Sequence, residues 1–190
     1  MSDPRHIHNL ALIGFMGSGK TTVGRLLASQ LRFDFVDTDE WLERKAGRTI
    51  ADIFTQEGEA GFRALERELV EEMTPWRRKV IATGGGLGAN EANLASLKTH
   101  SLVVCLWAPP ELLWQRVRKQ SHRPLLHDPD PLAKIQSLLE ERRATYCQAD
   151  ILINSGNRSV REVAAHVLHQ FQTARPRHDP SEREDPTTRH

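Results

Sequence analysis

Short runs of apolar residues alternate along this chain with longer segments in which apolar residues recur at helical spacing. The runs predict β-strands at Leu10–Ile13, Phe33–Val36, Val80–Ala82, Leu102–Leu106 and Ile151–Ile153. The segments between them predict helices, as at Leu65, Leu69 and Met73 or at Ile135, Leu138 and Leu139. Because the runs are continuously apolar, their strands are expected to be buried on both faces. The alternation therefore predicts an α/β protein, a three-layer sandwich around a five-stranded parallel sheet.

The composition fits one domain and gives no sign of a nucleic-acid or membrane partner. The 190 residues include 26 Lys and Arg against 25 Asp and Glu, a balance that gives no reason to expect nucleic acid or an acidic membrane surface. No apolar stretch is long enough to cross a bilayer, and the start of the chain lacks an apolar signal core. Cys105 and Cys147 fit no metal or redox spacing and are expected to be reduced. We expect a cytoplasmic protein.

Two segments differ from the rest of the chain. Residues 120–131 hold three prolines and two histidines, which indicates a loop between helices. The end of the chain is rich in Pro, Arg, Asp and Glu and has almost no apolar residues. We therefore expect one domain over residues 1–173 and a disordered tail over residues 174–190.

A glycine-rich segment follows the first predicted strand at once. Residues 14–22 fit the phosphate-binding pattern G-x-x-x-x-G-K-[ST], and a predicted helix begins directly after it. Its amide N–H groups can form a nest for phosphate oxygens, Lys20 can reach the β- and γ-phosphates, and the Thr21 hydroxyl can bind Mg²⁺. A chance glycine-rich loop is the alternative, which the flanking strand and helix disfavour. The residues expected to bind a nucleoside triphosphate here are Gly17, Ser18, Gly19, Lys20, Thr21 and Thr22.

Two carboxylates follow the second predicted strand. Asp37 and Asp39 would lie at the carboxyl end of that strand, the edge of a parallel sheet where ligands bind. One carboxylate could hold Mg²⁺ through its water shell, and the other could accept a proton from a substrate hydroxyl. The alternative is an N-cap for the helix that follows, and the two roles do not exclude each other.

Three consecutive glycines, Gly84, Gly85 and Gly86, follow the third predicted strand. Glycine loses more conformational entropy on folding than any other residue, so three in a row are costly to order. Close approach of a ligand to the main chain would explain them, and a plain turn is the alternative.

The chain resembles the shikimate kinases, small P-loop enzymes similar to nucleoside monophosphate kinases. The resemblance covers about residues 8–172 and rests on motifs in the order and at the spacing of that family. These motifs are Gly14–Thr22, Asp37–Asp39, Gly47–Phe54, Glu57–Arg63, Thr83–Gly86, Arg123–Leu126 and Glu141–Tyr146. Several of them are weak signals alone, but together they are specific. The resemblance implies a P-loop kinase fold with a lid loop at about 118–131.

The resemblance also implies roles for the acidic and glycine motifs. Asp39 would hold the shikimate hydroxyls and serve as the base for the attacking one. Asp37 would lie in the outer shell of one Mg²⁺ ion, through water. Gly85 would donate its backbone N–H to shikimate, with Gly84 and Gly86 on either side of it.

Two arginines are implied to clamp the shikimate carboxylate, Arg63 and Arg142. Guanidinium groups suit this task because they present a planar fork of donors. From the residues alone, Arg63 could equally form surface ion pairs, because its predicted helix is rich in Glu. Arg142 and Arg143 are adjacent, and the family places its arginine four residues before the tyrosine, which selects Arg142.

Three further arginines are implied to contact ATP. Arg123 would lie on the lid and reach the phosphates, where an arriving cation stabilises the charge that develops during phosphoryl transfer. Arg116 and Arg158 match family positions near the adenine. The residues implied to act in catalysis are Lys20, Asp39 and Arg123.

The implied activity is phosphorylation of the 3-hydroxyl of shikimate by ATP, with Mg²⁺ as cofactor, to give ADP and shikimate 3-phosphate. This step belongs to chorismate and aromatic amino acid biosynthesis, and we expect a monomer that binds neither nucleic acid nor membrane. One rival is a gluconate kinase of the same fold, which would leave Arg63 and Arg142 without a carboxylate to bind. Another is a nucleotide-binding switch, although the chain has no Asn-Lys-x-Asp guanine motif.

Overall fold

The computed structural model describes residues 5–118 and 129–174. Its sheet contains the strands β1 (Asn9–Ile13), β2 (Asp34–Asp37), β3 (Lys79–Ala82), β4 (Ser101–Trp107) and β5 (Ile151–Asn154). They run in the order β2-β3-β1-β4-β5, and every neighbouring pair is parallel. The predicted fold class is confirmed, and each predicted strand overlaps an observed one. β2 begins one residue later than predicted, because the Phe33 N–H still bonds to the Ala28 carbonyl at 3.0 Å.

Helices connect the strands and cover both faces of the sheet. In the described ranges they are α1 (Lys20–Leu31), α2 (Thr38–Ala46), α3 (Ile50–Glu72), α4 (Glu91–His100), α5 (Pro110–Val117), α6 (Pro131–Tyr146) and α7 (Val160–Ala174). Successive strand residues point to opposite faces. Leu10 and Leu12 of β1 therefore pack against α1 and α7, whereas Ala11 and Ile13 pack against α3 and α4. None of the helices in these ranges is long and apolar enough to span a membrane.

The long helix α3 is broken at Gly58. Thr49 and Asp52 form a capping box at its start, but Gly58 has φ +69° and ψ −174°. This conformation is restricted almost entirely to glycine. The break separates the first turns of α3 from the segment after Gly58. That second segment contains Arg63 and Glu66.

The parallel sheet brings the sequence motifs to one edge. The loops after β1, β2 and β3 all leave from the carboxyl ends of neighbouring strands. They carry the phosphate loop, the Asp37–Asp39 segment and the Gly84–Gly86 turn. Most of the predicted lid, including Arg123, lies outside the described residues. The predicted tail begins at residue 174, but Ala174 is the last residue of α7, and residues 175–190 lie outside the described residues.

Candidate active site

The loop after β1 forms a cradle at the start of α1. Gly17 and Gly19 have φ values of +77° and +98°, which other residues rarely adopt. Gly19 is the N-cap of α1 and has no side chain to accept from the first N–H groups of the helix, which leaves them to face an anion. Lys20 is buried, and its Nζ donates to the carbonyls of Gly14 at 2.8 Å and Phe15 at 2.9 Å. The cradle therefore combines oriented amides with a cation.

Asp37 connects β2 to the phosphate loop. Its Oδ1 accepts the Asp39 N–H at 3.1 Å, so Asp37 is indeed the N-cap of α2. Its Oδ2 accepts the Thr21 hydroxyl at 3.0 Å. The cap and the contact with the phosphate loop coexist, because the two carboxylate oxygens serve them separately.

The glycine turn after β3 is held by Thr38, a residue with no predicted role. Thr38 is fully buried, and its Oγ1 accepts the Gly84 N–H at 2.7 Å. A Cβ at Gly84 would lie 3.1 Å from Asp39 Cγ, and a Cβ at Gly86 would lie 2.6 Å from Arg63 Cζ. The Asp39 carboxylate and the Arg63 guanidinium therefore rest directly on the main chain of the turn.

Arg63 is held in this position by two glutamates of its own helix. Its Nη1 donates to Glu66 Oε2 at 2.7 Å, and its Nη2 donates to Glu59 Oε1 at 2.9 Å. Glu66 is only 1% exposed, and burial raises its pKa even though the charge of Arg63 opposes that effect. Burial would lower the pKa of Arg63, but its bonds to Glu66 and Glu59 outweigh burial and raise it. The ion pairs that the sequence allowed for Arg63 are present, and the same guanidinium also lies against the glycine turn.

α6 supplies a second arginine and a tyrosine to the same turn. The Gly85 carbonyl accepts from Arg142 Nη1 at 3.1 Å and from the Tyr146 hydroxyl at 3.2 Å. Burial raises the pKa of Tyr146 to about 12, so its hydroxyl keeps the proton that it donates. Arg143 is exposed, 3.5 Å from Glu140. Of the adjacent arginines, Arg142 faces the turn.

A cavity of about 430 Å³ joins the cradle to the acidic and glycine motifs. Its volume falls in the range of small-molecule sites. Besides the phosphate loop, it is lined by Asp37, Asp39, Thr83, Gly84, Gly85, Arg116, Ser155, Arg158, Val160 and Val163. Arg158 is exposed at this site, 3.1 Å from His166 Nδ1. Arg63, Gly86 and Arg142 are not part of this lining; the two arginines contact the glycine turn, whose Gly84 and Gly85 line the cavity.

Sequence reasoning missed several residues that position the predicted ones. They are Thr38, Glu66, Tyr146 and Ser155. Three of them left a local signal: Thr38 lies between the two aspartates, and Glu66 and Tyr146 follow Arg63 and Arg142 at the three- and four-residue spacing of one helix face. The predicted role of Arg123 stays untested, because that residue is outside the described ranges.

The fold and this site together define a P-loop kinase of small molecules. A family model described as "Shikimate kinase" matches residues 16–172. The chain therefore belongs to the shikimate kinase family, as the motifs predicted. A shikimate kinase of Symbiobacterium thermophilum is 46% identical over 167 residues, which cover 86% of this chain and 96% of that relative.

Solved structures agree with this assignment. The shikimate kinase from Acinetobacter baumannii, solved in complex with shikimate, has a TM-score of 0.83 and 39% identity to this chain. The match covers 89% of this chain and 95% of that one. A gluconokinase from Sinorhizobium meliloti covers 89% of this chain and 94% of its own with a TM-score of 0.60. At 14% identity it shares the fold alone.

Proposed function

We propose that this chain transfers the γ-phosphoryl group of ATP to the 3-hydroxyl of shikimate, giving ADP and shikimate 3-phosphate. The observation that carries the proposal is the placement of Asp39, Arg63 and Arg142 around one glycine turn beside the phosphate cradle. A hydroxylated carboxylate needs an acceptor for its hydroxyl protons and cations for its carboxylate. This turn offers both within one small volume.

On the donor side, Lys20 and the amides of the cradle would hold the β- and γ-phosphates. Thr21 and Asp37 place a hydroxyl and a carboxylate oxygen 3.0 Å apart at the cradle, and such oxygens suit Mg²⁺, which is often bound by few protein ligands together with substrate phosphates. Thr21 would bind the ion directly and Asp37 through water. When bound, Mg²⁺ would neutralise charge on the phosphates.

On the acceptor side, Arg63 and Arg142 would bind the carboxylate of shikimate and so fix the position of the ring. Asp39 would orient the 3-hydroxyl and take its proton as the hydroxyl oxygen bonds to the γ-phosphorus. The bond from that phosphorus to the β,γ-bridging oxygen breaks, and ADP leaves. Positioning and charge stabilisation supply most of the catalysis in such transfers. Arg123 is proposed, from the sequence alone, to add a cation at the γ-phosphate.

A coupled assay of ADP release tests the proposal with shikimate, with gluconate and without an acceptor. Release that depends on shikimate alone is the expected result. Release with gluconate would favour the rival kinase, and equal release without any acceptor would identify an ATPase. We also propose that the chain acts as a monomer, because one chain supplies both halves of the site, and light scattering tests this. We further propose that it acts in the cytoplasm.

A further inference from the structure

A buried hydroxyl that is distant in the sequence contacts the phosphate cradle. Ser155 directly follows β5 and is 5% exposed. Its Oγ lies 2.8 Å from the Ser18 carbonyl and 3.2 Å from the Trp107 carbonyl. A hydroxyl has only one hydrogen to donate, and the Ser18 carbonyl is the closer acceptor. The hydroxyl therefore donates to Ser18, whereas the Ser155 N–H donates to the Trp107 carbonyl at 2.8 Å.

This bond fixes a peptide group of the cradle. In a trans peptide the C=O and the N–H point in opposite directions. When Ser155 holds the Ser18 carbonyl, the N–H of the same peptide, which belongs to Gly19, faces away from Ser155. Gly19 is the N-cap of α1, so this N–H lies where the helix start and the cradle meet. Because Gly19 has no side chain, nothing on Gly19 itself prevents this peptide from rotating.

Arg116 bonds the neighbouring carbonyl of the cradle and is itself bonded to Ser155. Arg116 Nη1 donates to the Gly17 carbonyl at 3.0 Å, and Arg116 Nη2 donates to the Ser155 carbonyl at 3.0 Å. Ser155 thus restrains the Ser18 carbonyl through its hydroxyl and helps to aim Arg116 at the Gly17 carbonyl through its main chain. Two consecutive carbonyls of the cradle, those of Gly17 and Ser18, are therefore bonded by side chains from outside the loop.

We propose that Ser155 is a positioning residue for phosphate binding. Its hydroxyl keeps the Ser18–Gly19 peptide oriented so that the Gly19 N–H points at the phosphates of ATP. Preorganised donors of this kind stabilise charge without having to reorient during the reaction. The inference rests on the proposed function only in taking ATP as the phosphoryl donor.

Substitutions at Ser155 and at Ser159 separate this role from ordinary structural support. Ser155→Thr keeps the hydroxyl, whereas Ser155→Val keeps the shape of threonine and removes it. Ser159 lies in the same loop, where its exposed hydroxyl accepts the Glu162 N–H at 3.3 Å and does not contact the cradle. Ser159→Ala is therefore a control that weakens a helix start without altering the cradle.

Calorimetric titration with ADP and Mg²⁺ gives the Kd, and steady-state kinetics give KM for ATP and for shikimate. We expect Ser155→Val to raise the Kd for ADP and the KM for ATP by about tenfold, the effect of losing one well-placed hydrogen bond. KM for shikimate should stay within about twofold, because the glycine turn makes no use of this bond. Ser155→Thr should retain most of the affinity, and Ser159→Ala should bind ADP as the wild type does.

Equal Kd values for ADP in folded Ser155→Thr and Ser155→Val would overturn the proposal, even if the two differed in thermal stability. If Ser155→Val does not fold, Ser155→Ala removes the hydroxyl without adding volume, and wild-type affinity for ADP in that variant would overturn the proposal as well. The ADP titration needs no acceptor. If the wild type released ADP at the same rate with and without shikimate, the proposed function would be refuted and this inference would still stand.

Discussion

Replacing Gly86 by alanine should weaken shikimate binding without unfolding the protein. Gly86 has φ −88° and ψ −38°, a conformation open to any residue, so the main chain of the variant is not strained. The added Cβ would lie 2.6 Å from Arg63 Cζ and 2.8 Å from Arg63 Nη2, closer than real Cβ atoms come to other heavy atoms. Because the guanidinium is the far end of a flexible side chain, we expect it to move while the turn stays in place.

The size of the effect follows from what Arg63 loses. A displaced guanidinium can no longer meet the substrate carboxylate at the turn, and a hydrogen bond to a charged group is worth about 1.5–3 kcal/mol. KM for shikimate should then rise about 10- to 150-fold. The bond from Arg63 to Glu66 weakens, but an alanine in place of glycine restricts the unfolded chain. We therefore expect the free energy of unfolding to change by no more than about 2 kcal/mol.

Steady-state kinetics and urea unfolding measure these two quantities, and a double-mutant cycle with Arg63→Ala identifies their cause. If Gly86→Ala acts only through Arg63, the double variant should have the KM for shikimate of Arg63→Ala alone. KM for ATP should stay near the wild-type value in all three variants. A wild-type KM for shikimate in Gly86→Ala, or effects of the two substitutions that simply add, would refute this account of the acceptor site.

Three other substitutions test separate parts of the structure. Asp39→Asn should lower kcat by about 10²- to 10⁴-fold with ATP binding near normal, and wild-type turnover would exclude Asp39 as the base. Tyr146→Phe removes a donor to Gly85 and should raise KM for shikimate about three- to tenfold; an unchanged KM would show that the bond does not matter. Burial, with nearby positive charges, lowers the pKa of His100 to about 4 from 6.5. The unfolded chain therefore binds more protons between these values, and urea unfolding should show full stability above pH 6.5 and about 2 kcal/mol less at pH 5. His100→Gln should lack this loss; a loss as large as in the wild type would assign it to other groups.

The order of strands and helices could be predicted because parallel strands buried on both faces leave uninterrupted apolar runs. β4 is the clearest case, since every residue from Ser101 to Leu106 is buried. The break in α3 could not be predicted in this way. Ile53 and Phe62 both pack on the core side although Gly58 interrupts the helix between them, so the apolar pattern continues across the break.

The phosphate cradle could be predicted from the sequence because all of its chemistry lies in one short segment. The acceptor site is different, since Arg63 sits among glutamates and its contact with Gly86 depends on tertiary structure. The contact of Ser155 with the cradle is even harder to predict from the sequence. Ser155 is 137 residues from Ser18, and its contact exists only because β5 pairs with β4 at the edge of the sheet.

In both halves of the site, a side-chain hydroxyl bonds a main-chain carbonyl beside the cavity. Ser155 holds Ser18 in the cradle, and Tyr146 holds Gly85 in the turn, each through one side-chain hydroxyl. In each case the bond orients a peptide group, because fixing the C=O also fixes the N–H of the next residue. The two hydroxyls serve different peptides, so their loss should have opposite selectivity: Ser155→Val should raise KM for ATP alone, and Tyr146→Phe should raise KM for shikimate alone. Equal effects of both substitutions on both KM values would mean that the cradle and the turn form one rigid unit and are not positioned independently.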